Sequence, residues 1–317
     1  MVAVWKLIIL AVVQGLLEWL PVSSEGWLVL ILNWMKEPEN ALAIALFLHI
    51  GTMIAVIIRF WKDFFLLLGI KEPTRKSDKQ VIEKNDTNEE EDIEEVTEEQ
   101  FTRKEKQKKL WIFLLVATAA TAVVGVPIYL LVKFALEDGS LLEFAGGKVS
   151  GGDIITMVIG LFLIGTGIFI LISRRRTTRK SIYEMKIWEM IIVGAVQGIA
   201  VIPGVSRSGS TVGTMLIEGV NEEDSLRGSF LLSIPAVIGA NILTIIVDLI
   251  QEDLSFAGIP IYAMFLATLI SAVVGYLTID LFLRLVKNIN FGWFCIAIGG
   301  LALIITLIMV ILALTTT

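Results

Sequence analysis

Apolar runs long enough to cross a membrane recur at about 41–68, 110–134, 154–172, 229–250, 259–283 and 291–314. About twenty apolar residues in a helix cover about 30 Å of hydrocarbon, so each run predicts one span. Two further apolar stretches, 3–34 and 187–217, are interrupted near their middles by PVSSEG at 21–26 and PGVSRSGS at 203–210. Proline lacks a backbone donor and small polar residues lower helix propensity, so each stretch predicts two half-helices around a polar loop. Such a loop survives at membrane depth only when it is buried in protein or lines a wet cavity.

The broken stretches begin alike, with AVVQGLLEWLPVSSEG at 11–26 and GAVQGIAVIPGVSRSG at 194–209. FLHIGTMIAV at 47–56 is echoed by LLSIPAVIGA at 231–240, so the chain repeats itself at an interval of about 183 residues. Each copy holds one broken pair and three spans. An odd number of crossings makes the second copy enter from the opposite side. The fold expected is an all-α polytopic membrane protein with six transmembrane helices plus two re-entrant half-helix pairs in two inverted-topology repeats. Residues 1–134 carry the first part of repeat one, 150–173 its third span and 184–317 repeat two.

Composition agrees: 56% of the 317 residues are hydrophobic and 18% charged, which excludes a soluble enzyme. The net charge of −6 misleads, because residues 83–99 hold ten of the 32 carboxylates. The polar stretch 71–109 that contains them predicts a solvated, largely disordered loop. Segments 59–109, 173–187, 218–228 and 284–290 hold 21 of the 26 basic residues, which makes those segments cytoplasmic. The first broken pair then enters from outside and the second from inside. The lone Cys295 and the lone His49 exclude an internal disulfide and any two-histidine zinc motif.

Ionisable residues inside a membrane are costly and become functional candidates by default. Glu18 and Glu25 flank the first broken loop, Arg207 sits in the second, and His49 lies in the first full span. Gln14 and Glu18 are four residues apart on one helix face, so an amide and a carboxylate point to one place. The sequence SRSGST puts Ser206, Ser208 and Thr211 around Arg207 at the start of a half-helix. Backbone N–H groups, the positive end of the helix dipole and an arginine fork together suit phosphate. The first loop adds Ser23 and Ser24 with a carboxylate in reach. A hydroxyl, a base and a cation are the ingredients of phosphoryl transfer through a seryl intermediate.

QGLLEWLPVSSEG and PGVSRSGST together resemble the two motifs of the bacitracin-resistance, undecaprenyl-pyrophosphate phosphatase family, and the resemblance extends over nearly the whole chain. It implies an integral-membrane enzyme that removes one phosphate from a C55 polyprenyl diphosphate at the outer face of the plasma membrane, recycling the lipid carrier for envelope glycan synthesis. By position, Ser24 is then the nucleophile with Ser23 beside it, Gln14 and Glu18 the acidic-motif pair, and Arg207 the diphosphate-binding cation. Ser206, Ser208 and Thr211 would line the same pocket. A divalent cation, magnesium or calcium, is implied, with Glu18 as the carboxylate to hold it. The implied partners are the lipid substrate and membrane lipids, with no nucleic acid; a homodimer is compatible with this reading. Two positions depart from the family: Gln14 replaces a frequent Glu, and Trp27 stands where a histidine often follows the second serine by three residues. Tryptophan cannot accept a proton, which leaves Glu18 as the base, with Glu25 and His49 in reserve.

The same architecture also suits a secondary transporter or lipid-phosphate flippase, and the missing histidine favours that rival. On the enzyme reading the charged loop carries no chemistry. Deleting residues 75–105 is expected to leave the rate of phosphate release unchanged, and a rate lost with the loop would assign it a catalytic or partner-binding role.

Overall fold

A computed structural model describes residues 3–20, 23–35, 41–70, 101–137, 151–173, 180–202, 204–251, 259–288 and 291–315. Eleven α-helices are present among them: α1 Val4–Leu17, α2 Ser24–Trp34, α3 Ala41–Arg59, α4 Trp61–Leu67, α5 Arg103–Glu137, α6 Gly151–Ser173, α7 Ile187–Ile199, α8 Arg207–Ile217, α9 Glu222–Gln251, α10 Ile261–Asn288 and α11 Phe291–Thr315. A 3₁₀ turn covers Ile182–Glu184. The protein is an all-α polytopic membrane protein. Four described helices are long and apolar enough to cross a membrane, five if the bent pair α3 and α4 forms one span.

Both broken stretches divide into short helices, α1 with α2 and α7 with α8, as their Pro/Gly/Ser clusters predict. The run 41–68 differs from expectation: it bends by 76° between α3 and α4. The cause lies just past the bend, where Asp63, buried on α4, is held by Arg227 of α9. Arg227 also reaches Asp224 at 4.0 Å, and Asp224 accepts hydrogen bonds from the Ser181 hydroxyl and the Ile182 amide, both at 2.9 Å. A buried carboxylate needs such partners, and reaching them turns the chain. Residues 71–100, including the acidic run 83–99, lie outside the described residues. The end of the expected loop is corrected, since 103–109 are helical. Thr102 and Glu105 form a reciprocal cap there: the Thr102 amide and hydroxyl each donate to Glu105 at 2.8 Å.

Close packing depends on glycine. Without a hydrophobic drive between helices in lipid, small residues that let backbones approach supply the contact. A Cβ at Gly167 would lie 2.5 Å from the Gly292 carbonyl oxygen, which brings α6 against α11. On Gly194 it would lie 2.1 Å from the Ala117 carbonyl oxygen, joining α7 to α5; on Gly51, 2.5 Å from that of Thr268, joining α3 to α10. In addition α1 packs on α10, α3 on α9 and α5 on α9. These contacts surround the two breaks, which meet inside the bundle.

At the far end of α8, outside the spans, Glu218 is half-buried beside Glu189 and Lys180, and its buried carboxyl oxygens have no hydrogen-bond partner in the protein. Burial and the Glu189 charge push its pKa up from 4.5 to about 8, with Lys180 opposing. A carboxyl raised in the folded state binds more protons than in the unfolded state over this range. Its contribution is therefore complete below about pH 4.5 and is lost as pH rises towards 8. Glu218→Gln is expected to raise the melting temperature by a few degrees at pH 8.5 and hardly at all at pH 5, measured by thermal unfolding in detergent. Equal shifts at both values would contradict the raised pKa.

Candidate active site

Glu18 is the residue at which α1 stops; its N–H still reaches the Gln14 carbonyl at 3.1 Å. The next side chain, Trp19, is 1% exposed and fixes this corner by donating from Nε1 to the Gly275 carbonyl and the Thr278 hydroxyl, both at 3.1 Å. The chain re-enters a helix at Ser24 through Ser23, whose φ of +55° is the left-handed region. A non-glycine residue there is held by surrounding bonds. The Ser23 hydroxyl accepts from the Gly26 amide at 3.3 Å, capping α2, and from the Gly204 amide of the second loop at 3.2 Å.

The second loop answers in kind. Gly204 has φ +99°, and a Cβ on it would lie 2.8 Å from the Ile159 backbone, so neither its conformation nor its surroundings admit a side chain. Ser206 caps α8 by accepting from the Gly209 amide at 3.1 Å. The Ser208 hydroxyl donates to the Leu20 carbonyl at 3.2 Å, a second tie between the loops. The N-termini of α2 and α8 therefore open onto one place, and both carry the positive end of a helix dipole.

The two loops meet on Glu18. Its Oε2 accepts from Ser24 Oγ at 2.9 Å and from Gln14 Nε2 at 2.8 Å, and faces His49 Nε2 at 3.3 Å. Its Oε1 pairs with a terminal nitrogen of Arg207. Gln14 Nε2 lies 3.5 Å from the Thr52 hydroxyl, which donates to the His49 carbonyl at 3.1 Å. Four separate helices thus contribute to one buried carboxylate.

Glu18, Ser23, Ser24, His49, Ser206, Arg207 and Ser208 stand at the polar end of a cavity of about 270 Å3. The rest of its wall is largely apolar or small, including Ala122, Gly125 and Val126 of α5, Val201 just after α7, and Pro235 and Val237 of α9. Such a mixed cavity, apolar with a few convergent polar groups, is what an amphiphile with a charged head requires.

Of the residues singled out from sequence, Thr211 lies away from this cavity: its hydroxyl meets that of Ser229 at 2.5 Å and donates to the Arg207 carbonyl at 2.9 Å. It backs Arg207 and does not face the ligand space. Gln14, 0% exposed, stands behind Glu18 and not on the wall. The Glu25 side chain lies outside the described residues. Sequence reasoning passed over Gln197, Thr118, Thr121, Tyr129 and Asn241, which also line the cavity. The Gln197 side-chain oxygen and the Thr118 hydroxyl are buried and have no hydrogen-bond partner in the protein. Two signals pointed to all of them but Asn241: Gln197 repeats Gln14, and 118, 121, 122, 125, 126 and 129 share one helical stripe.

Glu18 does not fit the role of a resident metal ligand. Both its oxygens are already engaged, and among the described residues no three His, Cys, Asp or Glu side chains stand together as a ligand set.

Residues 7–302 match the family model described as bacitracin resistance protein BacA. The chain is similar to a protein named undecaprenyl-diphosphatase from Methanothrix thermoacetophila, with 33% identity covering 94% of this chain and 95% of the relative. Proteins of the same name from Methanococcoides burtonii and Haloarcula marismortui are 34% and 35% identical, covering 96% and 94% of this chain and 98% and 95% of theirs.

The loop-to-loop tie through Ser23 generates its own test. Ser23→Ala removes the cap of α2 and the acceptor for the Gly204 amide, and should cost about 1 kcal/mol of stability or somewhat more. Thermal unfolding in detergent measures it; an unchanged melting temperature would show that the tie does not hold the loops together.

Proposed function

The chain belongs to the bacitracin resistance protein BacA family, and from that premise we propose that it hydrolyses undecaprenyl diphosphate to the monophosphate and phosphate. It is an integral-membrane phosphatase. The observation that carries the mechanism is the Ser24 hydroxyl donating to Glu18 Oε2 at 2.9 Å, beside Arg207 and at the mouth of two half-helices. In this reading the apolar wall takes the prenyl chain and the polar end takes the diphosphate. Ser24 Oγ attacks the terminal phosphorus, its proton passes to Glu18, and the bridging P–O bond breaks with its electron pair leaving on the lipid monophosphate. Water then attacks the phosphoserine, gives up a proton to the solvent or to phosphate, and Ser24 recovers the proton held on Glu18. Arg207 and the N–H groups opening α2 and α8 stabilise charge on the phosphoryl oxygens. Gln14 orients Glu18, while Ser23, Ser206 and Ser208 hold the loops that present these groups.

We also propose the finer architecture: six spans, α3, α5, α6, α9, α10 and α11, with the two half-helix pairs re-entrant in inverted repeats. Its support is an exchange of packing partners, in which α1 lies on α10 as α7 lies on α5, while α6 lies on α11 and α3 on α9. The basic segments, grouped by the Asp63–Arg227 pair and by Arg59 with Asp280 at 2.7 Å, face the cytoplasm in this proposal. The enzyme then sits in the plasma membrane with its site open to the outside, alone or as a homodimer. The divalent cation that the resemblance implies, magnesium or calcium, has no set of protein ligands among the described residues and would accompany the diphosphate.

Purified protein is expected to release phosphate from C55 or shorter polyprenyl diphosphates. Ser24→Ala should lower kcat by about 10³-fold or more, and Arg207→Ala by about 10²–10³-fold, with the protein still folded by thermal unfolding. Release that survives both changes would remove the seryl mechanism. No release under any divalent cation would leave the transporter reading in its place.

A further inference from the structure

Trp27, whose half-buried ring packs in the cluster around Trp19 and Phe230, cannot accept a proton. The chain has one histidine, His49, and the fold places it in the site from a different helix. Its ring is buried and lies on the cavity wall with Glu18, Ser24 and Arg207. Nδ1 lies 2.7 Å from the Ala45 carbonyl oxygen. A carbonyl only accepts, so Nδ1 carries a hydrogen. That leaves Nε2, the nitrogen whose lone pair is free in the neutral ring, facing Glu18 Oε2 at 3.3 Å. This is the oxygen to which Ser24 donates at 2.9 Å.

Arg207 and Gln14 both bond to Glu18. A neutral imidazole nitrogen faces the same oxygen that Ser24 donates to, so a proton arriving there lies between two lone pairs. We propose that His49 is a positioning residue whose Nε2 shares with Glu18 the proton released by Ser24. This inference rests on the phosphatase reading above. The Ser24 O–H bond breaks as Oγ–P forms; the proton moves to Oε2 and is held between Oε2 and Nε2. It returns to Ser24 Oγ when water cleaves the phosphoserine, so His49 is unchanged over the cycle. The active form has Glu18 ionised and His49 neutral. At low pH the pair already holds a proton and cannot take the one from Ser24.

The charged groups facing the ring among the described residues are Glu18 at the end of α1 and Arg207 on α8. From α9 and α10, also packed on α3, Asn241 and Ser271 donate to the Leu46 and Leu48 carbonyls at 3.2 and 3.1 Å, and neither is ionisable. The acidic limb of the rate profile therefore belongs to the Glu18–His49 pair as a unit.

The test compares full-length wild type with His49→Gln and His49→Ala, purified through a tag free of histidine. Both variants should lose about 10²-fold in kcat with KM nearly unchanged, and their acidic limb should move to lower pH by about one unit or more. His49→Gln, which keeps a polar group of similar reach but cannot titrate, separates packing from proton transfer; if it retains wild-type kcat and the wild-type limb, the proposal falls. Because the chain has a single histidine, ¹⁵N labelling of that residue gives one imidazole spectrum. It should show Nδ1 protonated throughout and Nε2 titrating, with the midpoint moving to lower pH in Glu18→Gln. A bare Nδ1, or an Nε2 midpoint indifferent to Glu18→Gln, overturns the proposal even if the His49 variants fail to fold. A wild type that releases no phosphate sinks the phosphatase reading, whereas the spectrum reports on the pair whether or not turnover is observed.

Discussion

A carboxylate placed at membrane depth without compensation would be neutralised or expelled, and Glu18 is 7% exposed. It survives because three helices bring it donors: Gln14 from α1, Ser24 from α2 and Arg207 from α8. Ser24, six residues beyond Glu18, could not meet it if α1 and α2 were one continuous helix. The interruption at the first loop frees the end of α1 and turns the start of α2 back towards it. The interruption at the second loop does the same for Arg207. The broken helices and the buried charge therefore require each other: the breaks make the cluster, and the cluster occupies the polar groups that the breaks expose. Removing Arg207 would leave a buried anion, which is worse than having neither partner.

The two loops use one local plan for two chemical ends. At the 183-residue interval, Ser23 corresponds to Ser206, and each hydroxyl caps its half-helix by accepting from the glycine amide three residues on, Gly26 or Gly209. The following position is Ser24 in the first loop and Arg207 in the second. On the proposed mechanism, the nucleophile and the cation thus occupy equivalent places at the N-termini of α2 and α8. The corresponding glutamines also diverge. Gln14 donates to Glu18, whereas Gln197, with Val201 one turn on in place of a carboxylate, donates to Thr121 at 3.1 Å. One copy supplies the acid–base pair and the other the positive charge, so the site needs both.

Much of this was legible in the chain because it is local. Proline and small polar residues break a helix wherever they stand, so both half-helix pairs could be placed from sequence. The spacing of Gln14 and Glu18 put them on one face, and the capping geometry of SRSGST follows from its serine. What stayed hidden depends on distant partners. The bend between α3 and α4 is set by Asp63 finding Arg227, 164 residues away. The cap at Thr102 was visible as a threonine followed three residues later by Glu105, yet the surrounding charge argued for a loop. Thr211 carries the motif's hydroxyl one turn beyond Arg207, on the same side of α8, but Ser229 of α9, a distant partner, meets it there at 2.5 Å. His49 could be seen as an ionisable residue in a span, while its ring orientation depends on the Ala45 carbonyl one turn back.

The cavity's polarity gradient explains why so small a cluster can select a large lipid. A polyprenyl chain offers no hydrogen bonds, so the wall of Ala122, Gly125, Val126, Val201 and Pro235 recognises it only by apolar burial, which fixes depth poorly. The head must then set the register. Ser23 and Ser208 tie the two loops at 3.2 Å each, which holds Ser24 and Arg207 on opposite loops at a fixed separation. On the proposed mechanism a phosphoryl group that reaches both is placed for attack, whereas one displaced along the apolar wall meets neither. Discrimination therefore resides in the loop crossing, and the length of the prenyl chain affects it only through the area it buries.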